Sequence, residues 1–183
     1  NFTSIRGNHE KYYLYGFANP DSCTEASHQE WVKTNIEKKH DEFLQNTVYQ
    51  LDKEIEGVKL TFIHYPLRSI DPVHYEYIEH NATVDNLNIL FRNFSTDVIC
   101  YGHEHVSSFV KGNALYLNPG SCGCPYPEKD ITRCMILTID NGNVKYEHFK
   151  LNYDSNKVVN DMYRKEMPER DFISSNFYLY KKA

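Results

Sequence analysis

Val98-Ile99-Cys100-Tyr101-Gly102-His103-Glu104-His105 decides the fold: a short apolar, β-branched run ends in a glycine and two histidines two residues apart. The run reads as a buried strand and the polar residues as its C-terminal edge. The same order recurs upstream. Val58-Lys59-Leu60-Thr61-Phe62-Ile63 alternates as a strand after a turn at Gly57, delivers His64 at its end and is stopped by Tyr65-Pro66. Nearer the start, Phe2-Thr3-Ser4-Ile5 reads as the end of a strand running into a polar turn, Arg6-Gly7-Asn8-His9-Glu10. Ligands of α/β sheets bind beyond the carboxyl ends of strands, so three such ends predict one shared site.

Outward from these strands, Trp31, Ile36, Phe43 and Leu44 recur at helical intervals between Ser27 and about Gln50, predicting one or two surface helices with Ser27 as a cap. Thr83 to Phe94 puts Leu87, Leu90, Phe91 and Phe94 on one face of a capped amphipathic helix. Ser108-Phe109-Val110 and Ala114 to Leu117 flank a Gly112-Asn113 turn, a hairpin that ends in the loop Asn118-Pro119-Gly120-Ser121. Cys134 to Ile139 and Val144 to Phe149 flank Asn141-Gly142, a second hairpin, and a short helix is expected around Lys157 to Arg164. No repeat, low-complexity tract or linker divides the chain, which reads as one domain.

Composition bounds the function. The 183 residues are 40% hydrophobic, enough for a sizeable α/β core, and 20 Lys+Arg against 25 Asp+Glu give a net charge of −5. That balance supplies no global basic field for long nucleic acid or an anionic membrane. No run approaches the roughly 18 apolar residues of a membrane span, and the start lacks the order of a signal peptide, so the expectation is a soluble, cytoplasmic chain. The five cysteines are odd in number and unevenly spaced, fitting reduced thiols. Cys122-Gly123-Cys124 has no second pair at a zinc-finger interval and is read as ordinary buried or loop cysteines. His28, His40, His74, His80 and His148 are read as surface residues, with His74 the exception to watch on a segment that rims the site.

His103 and His105, at i and i+2, can face one pocket if the chain is extended or turning, and Gly102 is expected to let the backbone bend there. Neutral imidazoles with an Asn carbonyl oxygen suit Mn²⁺, Fe²⁺, Zn²⁺ or Co²⁺ better than Mg²⁺ or Ca²⁺, which want more carboxylates. A lone strand-end histidine is more often a hydrogen-bonded surface residue than a ligand. The combination of Gly-His-x-His with Gly-Asn-His-Glu in one chain shifts the balance to metal binding.

Gly7-Asn8-His9-Glu10, the following His64 and Gly102-His103-Glu104-His105 together resemble the last three motifs of the calcineurin-like metallophosphoesterases. Asn118-Pro119-Gly120-Ser121-Cys122-Gly123 with Pro125, Asn152-Tyr153-Asp154 and Met167-Pro168-Glu169-Arg170 resemble the small bacterial and archaeal branch of that superfamily. The resemblance implies an α/β fold, a two-sheet β-sandwich flanked by helices. It implies hydrolysis of a phosphodiester or phosphomonoester of a small nucleotide-like molecule by a hydroxide activated between two metals. The cofactors it implies are two divalent transition metal ions, Mn²⁺ first, with Fe, Zn, Co or Ni as alternatives. Carried over by motif, Asn8, His64 and His103 bind one ion and His105 the other. His9 becomes the general acid or a charge stabiliser, Glu10 holds its ring, and Glu104 points away. Tyr65, where many relatives have glycine, either lines the pocket or packs.

The D-x-H and G-D-x-x-D motifs that precede Asn-His in the family are absent from the sequence. The expectation is therefore a single metallophosphoesterase domain over residues 1–183, truncated at its N-terminus and lacking its first βαβ portion, with Phe2 to Ile5 beside an unpaired edge. The partner expected is a small phosphate ester; a homo-oligomer is left open. Two rivals stand beside the enzyme. One is a non-catalytic protein-binding module with the same fold, the other a mononuclear metal-binding protein using Asn8, His64 and His103 alone.

Overall fold

Parallel pairing of two short apolar runs builds the centre of the larger sheet. In the computed structural model, which describes residues 2–16, 26–68 and 74–181, β2 (Val58–Ile63) lies parallel to β3 (Val98–Cys100) with Leu60 opposite Val98 and Phe62 opposite Cys100. β5 (Leu115–Asn118) continues the parallel set, and β1 (Gln50–Ile55) and β4 (Ser108–Lys111) pair antiparallel at its flanks, giving the order β1-β2-β3-β5-β4. A second sheet is the long hairpin of β6 (Ile131–Asp140) and β7 (Asn143–Asn152). Sequence and fold agree on the class, a mixed α/β structure of two sheets flanked by helices.

Period-2 alternation divides the core between the two faces of the larger sheet. Val58, Leu60, Val98 and Leu117 point to one face, where Met135, Leu137, Ile139 and Val144 of the hairpin cover them and make the sandwich. Ile63, Ile99 and Tyr116 point to the other, and α4 (Val84–Leu90) covers them with Leu87 and the residue that ends it, Phe91. Thr83 caps α4 as expected, its hydroxyl accepting from the Asn86 N–H at 3.3 Å. Phe91 is 1% exposed and its ring meets Tyr101 at 5.0 Å and Tyr116 at 5.4 Å, so aromatic packing makes this half of the core.

The remaining helices are α1 (Asn8–Tyr15), α2 (Ala26–Asn35), α3 (Asp41–Gln45), α5 (Ser155–Arg164) and α6 (Arg170–Phe177). Several expectations change here. Phe2 to Ile5 is no strand: Ile5 makes one parallel bridge to Val48, and Arg6 turns inward instead. The polar segment after it is no loose turn but the start of α1, because Glu10 reaches back to accept the Gly7 N–H at 2.8 Å and completes the helix N-terminus. Ser27 lies inside α2, where its hydroxyl donates to Glu169, and caps nothing. β1 and α6 were not anticipated, since Gln50 to Ile55 is polar and mostly exposed and gains strand geometry only from pairing with β2. Cys23 lies outside the described residues, and the other four cysteines are free thiols. No helix among the described residues is long and apolar enough to cross a membrane.

Arg6 anchors α1 to the end of α3 and the residues that follow it. It is 6% exposed and donates to the Thr47 hydroxyl at 2.9 Å, the Thr47 carbonyl at 2.7 Å and the Gln45 carbonyl at 2.9 Å, with its guanidinium 4.9 Å from the centre of the Tyr49 ring. A buried cation with that many acceptors is stable only while all are kept. Replacing Phe91 with alanine removes the ring around which the aromatic cluster packs. We expect a loss of about 3–5 kcal/mol in urea unfolding, and a loss under 1 kcal/mol would contradict this account of the core.

Candidate active site

Three chain segments bring their polar residues to the carboxyl end of the parallel strands. β2 ends at Ile63 and presents His64; β3 ends at Cys100 and is followed by Gly102 and His103; α1 begins with Asn8 directly after Gly7. His64 Nε2 lies 3.1 Å from Asn8 Oδ1 and 3.1 Å from His103 Nδ1. The His64 carbonyl accepts the Gly102 N–H at 2.9 Å, so the two strand ends are tied by their backbones as well. A side chain at Gly7 would place its Cβ 2.8 Å from Glu10 Oε2 and 3.2 Å from the His64 ring. Glycine there is what lets α1 approach the imidazole.

The bend in the Gly-His-Glu-His turn falls on a different residue from the one expected. Gly102 has ordinary backbone geometry, and His103 takes the left-handed conformation with φ 70°. Such a conformation costs a non-glycine residue about 1–2 kcal/mol, and the surroundings hold it in place. Asn118 is fully buried and its amide donates to the carbonyls of Glu104 at 2.8 Å and Val106 at 3.3 Å. The Asn-Pro-Gly-Ser loop thus clamps the histidine turn.

One cavity of about 360 Å³ is lined by Asn8, His9, His64, His103 and His105 together. The structure thereby brings together every residue the sequence reading placed at the site except Glu10, whose carboxylate is engaged at the Gly7 N–H. The orienting role assigned to Glu10 falls to Gln29 of α2: it is 3% exposed, and its Nε2 lies 2.8 Å from His9 Nδ1. With the amide donating, His9 keeps its own proton on Nε2. His28, read as a surface residue, also lines the cavity. Ile173, Phe177 and Tyr178 close it from the α6 side, and the Phe177 ring meets His105 edge-on at 5.8 Å. Nothing local in the sequence marks Gln29 or Phe177, because their roles arise from helices that pack here from distant positions.

Other readings change at the rim. Glu104 does not point away: it accepts the Val106 N–H at 3.1 Å and pairs with His80 Nδ1. His80 is therefore a partner of the histidine turn and not simply a surface residue. His148 is half-buried and lies 2.9 Å from the Pro119 carbonyl. Tyr65 packs: it is 1% exposed, its ring lies 5.1 Å from that of His103, and its hydroxyl accepts the Glu79 N–H.

Burial and mutual repulsion keep these imidazoles neutral. His64 is pushed down to about 3, by desolvation first and then by His103, His9 and His105. His103 falls to about 4 for the same first reason, with His105 and His9 adding to it, and His105 is lowered chiefly by burial. A neutral imidazole nitrogen is the form that ligates metal. Metal–nitrogen and metal–oxygen bonds of about 2.0–2.2 Å put neighbouring donors on one ion roughly 3.0–3.4 Å apart, which matches the two 3.1 Å separations at His64. Asn8, His64 and His103 therefore fit one divalent cation. No carboxylate joins them: among the described residues no group of three or more His, Cys, Asp and Glu could hold a metal, so a complete coordination shell needs further donors.

Comparison with known proteins shows the family. The model of the calcineurin-like phosphoesterase superfamily domain matches residues 1–142, and the chain belongs to that superfamily. Members of it use divalent metals and hydrolyse phosphate esters. The chain is 27% identical over 188 residues to the uncharacterised protein MJ0912 of Methanocaldococcus jannaschii, covering 92% of this chain and 72% of that one. Its fold is similar to that of hypothetical protein PH1004 from Pyrococcus horikoshii, with a TM-score of 0.71 at 14% identity over 100% of this chain and 75% of the other. A metallophosphoesterase from Sphaerobacter thermophilus gives a TM-score of 0.65 at 18% identity over 91% and 72%.

The depressed histidine pKa values make stability depend on pH. Unfolded imidazoles titrate near about 6.5, whereas His64 and His103 stay neutral in the fold until pH nears 4 or below. The unfolded chain thus binds more protons across that window, and stability present at pH 7 is lost as pH falls from 6.5 toward 4. In chelator, the thermal midpoint is expected to drop between pH 7.5 and 5.0, and to drop less in His64→Gln; equal pH dependence in the two proteins would contradict the assignment.

Proposed function

We propose that the protein is a metal-dependent phosphoesterase acting on a small nucleotide-like phosphodiester or phosphomonoester. The observation that carries this reading is the convergence of Asn8, His64 and His103 on one point, in the same cavity as His9 and His105. Asn8, His64 and His103 would hold one divalent ion and His105 would contribute to a second, Mn²⁺ being the first candidate. Further donors would complete the two coordination shells, and residues 1–183 are read as one metallophosphoesterase domain. Bound there, such ions supply Lewis-acid stabilisation of charge on the phosphoryl group.

The chain's own residues do the rest. α1 starts at Asn8, so the positive end of its dipole lies beside the donors and favours an anion there. His9, with Nδ1 occupied by Gln29, presents Nε2–H to the cavity and can donate a hydrogen bond that stabilises charge on the oxygen of a departing group. Ile173, Phe177 and Tyr178 give that side of the cavity an apolar wall. The rival reading, a non-catalytic protein-binding module, draws support from the lack, among the described residues, of a carboxylate beside the donors.

Elemental analysis of intact protein together with phosphate-ester hydrolysis separates the two. His103→Ala is expected to lose bound metal and activity together. His9→Ala is expected to keep its metal while its rate falls roughly 10²–10³-fold. Equal loss of metal in both variants would remove the role given to His9, and metal-free, inactive wild-type protein after incubation with Mn²⁺ would favour the binding module.

A further inference from the structure

The histidine cluster borders several clefts, and two of different chemistry meet at Asn8. Asn8, Ile78 and His103 line both. The first is the cavity already described, with His9 and the apolar residues of α6. The second, about 430 Å³, is lined by Lys11, Arg68, Tyr75, Glu76 and Tyr77 among others, and His9 does not reach it. Lys11 is 6% exposed and its ammonium lies 5.5 Å from the centre of the Tyr75 ring. Arg68 donates from Nε to the Tyr75 carbonyl at 3.0 Å and holds its guanidinium 4.2 Å from the centre of the Tyr77 ring.

A monoester has one organic group and could use only one of these clefts. A diester has two. His9, the hydrogen-bond donor to the departing oxygen, lines the α6 cleft and not the second, so the group that departs belongs there and the group that stays on phosphorus belongs in the other. What that other cleft can recognise follows from its residues. Tyr77 is 79% exposed, an open aromatic platform braced by a cation, which suits stacking of a planar base. Glu76 offers an acceptor for hydroxyl groups, and Lys11 and Arg68 place positive charge beside a phosphate.

Resting on the phosphoesterase reading, we propose that the substrate is a phosphodiester whose departing group lies against α6 beside His9. Its retained group, a nucleoside, occupies the cleft of Lys11, Arg68 and Tyr77. Water supplies the oxygen that bonds to phosphorus, the bond from phosphorus to the departing oxygen breaks, and that oxygen leaves hydrogen-bonded to His9 Nε2–H. The attacking water releases one proton to solvent and the departing oxygen takes one from solvent, so His9 ends as it began. The products are an alcohol and a nucleoside monophosphate.

The test compares two esters with one departing group: p-nitrophenyl phosphate, and the p-nitrophenyl ester of thymidine 5′-monophosphate, with the full chain supplied with Mn²⁺. The nucleotide ester should have the higher kcat/KM by at least about tenfold, and Tyr77→Ala should reduce that preference about tenfold, mainly through KM. A preference for the monoester, or an unchanged preference in Tyr77→Ala, overturns the proposal. Calorimetry with thymidine 5′-monophosphate and with inorganic phosphate gives a readout independent of turnover. If neither ester is hydrolysed, the phosphoesterase reading fails, and the cleft is judged by binding alone. Nucleotide bound at least tenfold tighter than phosphate, with the difference lost in Tyr77→Ala, upholds it as a nucleoside site; equal affinities or no effect of the variant overturn it.

Discussion

The imidazole of His64 is the contact on which the site depends. Its Nε2 faces both Asn8 and His103 at 3.1 Å, and its backbone carbonyl receives the Gly102 N–H. Each neighbour comes from a different part of the chain, so one ring couples the first helix, β2 and the turn after β3. The parallel register of β2 and β3 makes this possible, because it brings the two strands to the same edge. Gly7 completes the arrangement by giving the ring room against α1. Loss of any of these supports would separate donors that no local sequence holds together.

Two buried polar residues carry the outlying parts. Arg6 binds α1 to the Gln45–Thr47 segment through its guanidinium, while its carbonyl receives the Tyr75 hydroxyl at 2.8 Å. Asn118 fixes the backbone of Glu104 and Val106, and its Oδ1 also accepts the Gly120 N–H. Each is a side chain whose hydrogen bonds all go to nearby backbone or hydroxyl groups, the condition under which a buried polar group stabilises a structure. They position the histidines without touching them. Such rigid support is what keeps donor atoms near a productive geometry.

The parts of the fold legible in the sequence are those with strong local signals. Val58 to Ile63 and Val98 to Cys100 announce themselves by apolar alternation, and Asn141-Gly142 fixes a hairpin between runs that would otherwise be ambiguous. β1 escapes because its residues are polar and exposed on an edge, where only the neighbouring strand imposes extension. The start of α1 escapes because Arg6 to Glu10 contains good turn residues, and the reach of Glu10 back to Gly7 is visible only in three dimensions. In the site, motif spacing singles out Asn8, His9, His64, His103 and His105. It misassigns Glu10, since an acidic residue beside a histidine can as easily cap a helix as hold a ring. Gln29, His28 and the α6 wall come from segments with no motif, and packing alone brings them in.

The wall that Phe177 provides has a consequence for how the protein is made. His105, the last of the site histidines, emerges from the ribosome 72 residues before Phe177 (177 − 105). At about 5–20 residues per second that leaves an interval of roughly 4–14 s in which the site histidines have been synthesised while the side formed by α6 is still open. Metal loading can therefore precede the packing of α6 against the site during synthesis.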